Sequence, residues 1–196
     1  MLDIAVSEPS SDVARRDRIL EGAAAVFLAY GFQRTTMEDI AKASEVSRPA
    51  LYLQFRNKSD IYRALAADFL RKFLDMASLV LDGEGDLSER ICGAVDGTLC
   101  MILDVEKSAH GAEILDMKNS LAADVVADGR RRMKELFEGA IARAIKGKPA
   151  DSDMAGLLAD LILDALDGMR MRNLPADTQR DTVRRYVDLI LAGVAS

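Results

Sequence analysis

Residue types that do chemistry are thinly spread along this chain of 196 residues. His110 is its one histidine, which excludes a two-His metal site and any catalytic scheme needing separate histidine roles. Cys92 and Cys100 stand eight apart, away from the Cys-x-x-Cys spacing of a zinc or redox pair. Gly83-Glu84-Gly85 lacks the third glycine and the preceding strand of a dinucleotide loop. Asp82, Glu84 and Asp86 have the opening spacing of a calcium loop, but Gly93 stands at the twelfth position, where a bidentate Glu is required. Arg130-Arg131-Arg132 reads as a solvated face or as partners for the many carboxylates. These patterns yield no catalytic residue, no metal site and no cofactor. An enzyme is not supported.

Bulk charge first argues against nucleic acid as a partner. The net charge is −6, and affinity for DNA rests on neutralising phosphates. The charge is unevenly distributed, however. Residues 13–73 hold 11 Lys and Arg against 7 Asp and Glu, a net of +4, while the rest of the chain is acidic. Composition is 49% hydrophobic and 30% charged with four prolines, which argues for a packed core over disorder. No apolar run reaches the ~18 residues a membrane span needs, and the first residues carry no basic n-region of a secretory signal. With two cysteines, a reduced cytoplasmic setting is expected.

The elements that must position any site are helical. Ile19, Leu20, Ala23, Ala24, Phe27 and Leu28 recur at helical spacing over about 12–30, and Gly31 stands where a left-handed residue ends a helix. Thr35-Thr36-Met37-Glu38 has capping-box spacing and predicts a short helix with Met37, Ile40 and Ala41 inward. Ser44-Glu45-Val46 interrupts it. Ser47 then caps a second short helix, with Pro49 in its first turn, running to about Phe55. Asn57 caps a long helix through about Leu81, with Asp60 at N3.

Beyond the break at 82–86, helices are expected over about 87–105, 120–145, 152–171 and 177–194, with 108–117 irregular or a short helix. Gly129 and Gly139 sit inside the 120–145 helix and each disfavours it by about 1 kcal/mol relative to Ala. No segment shows the sustained alternation of a strand.

Two short helices joined by a three-residue turn, after one longer helix, make a helix-turn-helix in a three-helix domain. Met37, Ile40, Ala41, Val46, Leu51 and Phe55 would pack on the Phe27 face of the first helix. Arg48, Pro49, Tyr52 and Leu53 share the outward face of the second short helix, which must meet a partner.

Gly31-Phe32-x-x-Thr35-Thr36-Met37-x-Asp39-Ile40-Ala41 and Val46-Ser47-x-x-Ala50-Leu51-Tyr52-x-x-Phe55-x-x-Lys58 together resemble the DNA-binding signature of TetR-type transcriptional regulators. The resemblance covers about 50 residues and implies an all-α chain. A helix-turn-helix domain over 12–58 would precede a larger helical effector-binding and dimerisation domain over 59–196. It implies phosphate contacts by Thr36, Tyr52 and Lys58, and base reading by Ser47, Arg48, Pro49, Ala50 and Leu53. Arg48 is the strongest candidate reader, because its fork can bind guanine O6 and N7 together. Two residues depart from the pattern. Glu45 stands where relatives usually have Gly, and Ala50 replaces the common Thr or Ser.

The remainder carries less information. Phe69, Phe73, Met76, Leu99, Met101, Met117, Met133 and Phe137 would line an apolar pocket for a small apolar or amphipathic effector, since flexible thioethers suit an adaptable site. The last two helices carry broad apolar stripes. Leu158, Leu161, Ile162, Ala165, Met169, Val183, Tyr186, Val187 and Ile190 would meet a symmetry mate in a four-helix bundle. The expectation is a homodimeric repressor whose two recognition helices enter successive major grooves of near-palindromic double-stranded DNA, about 34 Å apart. Effector binding would tilt the long helix after Asn57 and release the DNA. A helical protein-interaction adaptor that keeps the motif without using it on DNA is the other class these elements allow.

Overall fold

The computed structural model describes residues 11–116, 118–145, 152–171 and 176–195. Among them every regular element is helical: α1 (Ser11–Tyr30), α2 (Met37–Ala43), α3 (Arg48–Gln54), α4 (Lys58–Leu81), α5 (Leu87–Glu106), α6 (Gly111–Asp116), α7 (Lys118–Leu121), α8 (Ala123–Ile145), α9 (Ser152–Met171) and α10 (Ala176–Ala195). Packing divides the chain into two compact units, Met1–Asp68 with Val105–Ala123, and Phe69–Asp104 with Asp124–Ser196. That division differs from a boundary at 58/59. It falls ten residues later and returns a segment from the middle of the chain to the first unit.

In the first unit, Ile19, Ala23 and Phe27 of α1 are fully buried with Ile40 of α2 and Leu51 of α3. Phe27 and Phe32 meet at a tilt with ring centroids 5.2 Å apart, and Phe32 meets Tyr62 edge-on at 5.9 Å. Gly22 admits the end of α2, because a Cβ there would lie 2.4 Å from Ser44 Oγ and 2.8 Å from its backbone nitrogen. Gly31, at φ +82°, ends α1 as its position predicts.

Hydrogen bonds join the segment 105–123 to the rest of this unit. His110 N–H donates to Leu28 O at 3.2 Å, Tyr62 Oη to Ile114 O at 2.6 Å, and Arg63 Nη1 to Leu121 O at 3.1 Å. The last of these accompanies a break that periodicity did not predict. The continuous 120–145 helix is instead two, α7 and α8, parted at the fully buried Ala122.

The turn between α2 and α3 is a Schellman ending. Val46 N–H donates to Ala41 O at 3.0 Å and Glu45 N–H to Lys42 O at 3.2 Å. Glu45 takes φ +54° at the position where the motif favours glycine. Left-handed backbone costs a side-chain-bearing residue about 1–2 kcal/mol, and glycine's extra chain entropy offsets about half of that. Glu45→Gly is therefore expected to stabilise the protein by about 0.5–1 kcal/mol, read as a higher urea midpoint. A lower midpoint would show that the Glu45 side chain makes a stabilising contact that outweighs the strain.

The second unit buries Leu74, Ala77 and Leu81 of α4 against Ile91 of α5, Phe137 and Ile141 of α8, Leu158 and Ile162 of α9, and Val187 of α10. Charged pairs tie α8 to α9. Arg130 meets Asp164 at 2.6 Å and also Asp167, and Lys134 meets Asp160 at 2.6 Å. Arg131 pairs with Asp128 and Glu135 along its own helix, so two of the three consecutive arginines are partners for carboxylates.

Candidate nucleic-acid interface

The two short helices are set by their caps. Thr36 is extended (φ −107°, ψ 164°) and is the N-cap of α2, with Asp39 closing the box. Thr36 N–H donates to Asp39 Oδ2 at 2.8 Å, and Asp39 N–H donates to Thr36 Oγ1 at 3.2 Å. The box therefore sits one residue later than a Thr35–Glu38 pairing. Thr35 is buried instead, and its hydroxyl donates to Gly31 O at 2.7 Å. Asp39 is held below the usual carboxylate range, first by the Thr36 hydroxyl and then by the Thr36 backbone N–H.

Ser47 caps α3 by accepting from Ala50 N–H at 3.3 Å. This uses an acceptor lone pair and leaves the Ser47 O–H able to donate outward.

With α2 and α3 fixed, one face of α3 is turned to solvent. Ser47, Arg48, Pro49, Tyr52 and Leu53 are exposed there and Ala50 is half-buried, while Leu51 and Phe55 are buried behind them. Leu53 is 85% exposed, far more than a leucine of a seven-residue helix gains from any core. Arg48 lies with its guanidinium carbon 5.7 Å from the Tyr52 ring centre, and its Nη1 reaches Glu38 Oε2 of α2 at 3.5 Å. The Tyr52 hydroxyl, and after it Glu38, push the Arg48 guanidinium up. Glu38 was not among the residues that sequence reasoning selected. Its signal there is only a carboxylate beside the cap.

Lys58 is placed differently from a side chain reaching for phosphate. Its Nζ donates to Phe32 O at 2.8 Å, Gln33 O at 3.1 Å and Thr35 O at 3.2 Å, and lies 4.6 Å from the Phe32 ring centre. All three donors are occupied by the loop between α1 and α2. Thr36 is exposed, but its hydroxyl also donates to Asp39 Oδ2 at 2.7 Å.

The expected pocket residues are only partly brought together. Met133 and Phe137 lie in the buried core of the second unit, and Phe73 packs against that core. Phe69, Met76, Leu99 and Met101 are half-buried and stand outside that cluster, and Met117 lies outside the described residues. The stripes of α9 and α10 divide in a similar way. Leu158, Ile162, Met169, Val183 and Val187 belong to the protomer's own core, while Ala165, Tyr186 and Ile190 are half-buried. Leu161 is 45% exposed, and it is joined on the outside by Leu157 at 54%, Met154 at 36% and Leu189 at 71%. Helical spacing groups Met154 and Leu157 with Leu158 and Leu161. It could not say which side of the stripe the core takes.

The family profile described as "Bacterial regulatory proteins, tetR family" matches residues 19–65, which hold α2, α3 and parts of α1 and α4. The chain is 28% identical over 145 residues to the HTH-type transcriptional regulator HbdR of Aromatoleum sp. strain CIB, a match covering 72% of this chain and 62% of that one. It is 25% identical to the HTH-type transcriptional repressor KstR2 of Rhodococcus jostii, over 96% of this chain and 95% of that one. SmeT, the repressor of the Stenotrophomonas maltophilia multidrug efflux pump SmeDEF, has a similar fold, with a TM-score of 0.59 at 21% identity over 91% of this chain and 89% of that one.

Proposed function

Because the chain belongs to the tetR family of bacterial regulatory proteins, and is thus a DNA-binding transcriptional regulator and no enzyme, we propose that it is a homodimeric repressor, acting in the cytoplasm, of a near-palindromic operator. The observation that carries this reading is the outward face of α3. Arg48, Tyr52 and Leu53 stand exposed on a helix too short to hold itself together, anchored by Leu51 and Phe55 from behind. The net charge of +4 over residues 13–73 supplies attraction to phosphate at that end of the chain.

The exposed row of Met154, Leu157 and Leu161 on α9, with Leu189 on α10, supports the dimer, since an apolar row of this kind calls for a self-complementary partner. Among the described residues no helix is long and apolar enough to cross a membrane. For the effector the reading is a small apolar or amphipathic molecule bound among the helices of the second unit, where Phe73, Met133 and Phe137 gather. SmeT is a relative in fold that has been obtained as a complex with triclosan. The helix α4 contributes residues to both units, up to Asp68 in one and from Phe69 in the other. An effector that prefers one tilt of α4 would thereby act on α2 and α3.

The test is the salt dependence of binding to a duplex oligonucleotide. The logarithm of the affinity should fall linearly with the logarithm of salt concentration, with a slope of about −0.9 per phosphate neutralised. A slope equivalent to several phosphates is expected. Absence of salt-dependent binding would favour an adaptor that leaves its helix-turn-helix unused.

A further inference from the structure

Glu38 sits on the face that the preceding reading turns towards DNA, and this inference rests on that reading. A carboxylate there is repelled by phosphates and needs a reason. The first turn of α2 favours a carboxylate in general, but Asp39 already closes the box with Thr36, so capping does not call for a second one at Glu38. Glu38 occupies the second position of α2, 68% exposed, and extends across the turn to Arg48 of α3, itself 59% exposed, at 3.5 Å. The same guanidinium lies 5.7 Å from the Tyr52 ring centre. The reading arginine thus has a carboxylate and a ring as neighbours.

We infer that Glu38 is a specificity-determining residue, which orients Arg48 on guanine and itself accepts a hydrogen bond from the amino group of a neighbouring cytosine. The chemistry of the two side chains sets this pairing. Arg48 offers only donors, and with Nη1 directed to Glu38 it has further N–H groups with which to meet the O6 and N7 acceptors of guanine. An ionised Glu38 offers only acceptors. Guanine O6 and N7, thymine O4 and the phosphate oxygens all repel it; adenine sets its N7 acceptor beside its N6 amino donor, whereas cytosine presents its N4 amino donor in the major groove with no acceptor beside it. The pair therefore reads a guanine with a cytosine close by, and Glu38 excludes steps that place acceptors there.

The test uses the full-length protein and a random-sequence duplex library, with bound fragments sequenced. The wild type is expected to enrich a guanine with a cytosine within one or two base pairs, that cytosine favoured about 5-fold or more over other bases. In Glu38→Gln the cytosine preference should give way to adenine, because an amide pairs with adenine N6 and N7. Glu38→Ala should lose the cytosine preference without replacing it, and both variants should hold unselected duplex more tightly than the wild type. A merely structural role at the start of α2 would lower the melting temperature and leave the enriched bases unchanged. Retention of the wild-type bases by both variants, or no such cytosine in the wild-type motif, overturns the inference. A wild type that enriches nothing at low salt overturns the DNA-binding reading itself.

Discussion

Replacing Arg48 with Ala is expected to weaken binding to the sequence that the wild type enriches by about 1–3 kcal/mol, roughly 5- to 150-fold. The loss should be confined largely to that sequence. A guanidinium forked onto guanine contributes only where guanine is present, whereas one resting on phosphate contributes on every duplex. Fluorescence anisotropy on the enriched duplex and on an unrelated one of equal length separates the two roles. Equal losses on both would demote Arg48 to a phosphate contact and shift the reading role to its neighbours on α3. The variant should fold normally. Arg48 is exposed, and its contacts are the 3.5 Å pair with Glu38 and the face of Tyr52, both of them at the surface.

A second large effect is expected where α9 faces outward. Leu157 and Leu161 are 54% and 45% exposed in the protomer, so Leu157→Glu with Leu161→Glu leaves the protomer's own core in place. In a two-fold dimer each change occurs twice. Covering the exposed half of four leucines is worth at least about 3 kcal/mol, roughly 150-fold in the dimer equilibrium, before the cost of burying carboxylates is counted. Light scattering should register a fall from twice 21.4 kDa to 21.4 kDa, with helical circular dichroism unchanged. Operator affinity should fall along with it, because a single tip grips one half-site. A double variant that stays dimeric would place the interface elsewhere.

The parts of this fold that were legible in the sequence are those governed by local chemistry. Ser47 before Pro49, Asn57 before Asp60 and Gly31 after Tyr30 each mark a helix end through a hydrogen bond or a backbone angle that their own residue type favours. The face of α3 followed from spacing, since Leu51 and Phe55 are one turn apart and Tyr52 and Leu53 lie opposite.

What the sequence withheld depends on neighbours distant along the chain. Thr35 and Thr36 both stand three residues before an acid, and only the burial of Thr35 decides which of them caps. Ser120 to Ile145 reads as one helix, yet the guanidinium of Arg63, 58 residues earlier, takes the carbonyl of Leu121 where the helix breaks. Lys58 has the charge and position of a phosphate ligand, but the carbonyls that claim it belong to the α1–α2 loop. On α9 and α10 one apolar stripe must serve a core and an exterior. The rotation of each helix, which no local rule fixes, decides that Leu158 goes inside and Leu157 outside.

The bonds that His110, Ile114 and Leu121 make to the first unit also bear on the order in which the molecule can be built. A ribosome delivers α1, α2 and α3 early, but the acceptor for Tyr62 and the acceptor for Arg63 are not yet synthesised when Asp68 appears. At about 5–20 residues per second, the 55 residues from Asp68 to Ala123 take roughly 3–11 s. Until His110, Ile114 and Leu121 have emerged in turn, the DNA-binding end of a nascent chain lacks ties that the finished fold has. Its completion waits on a stretch of chain that lies beyond most of α5.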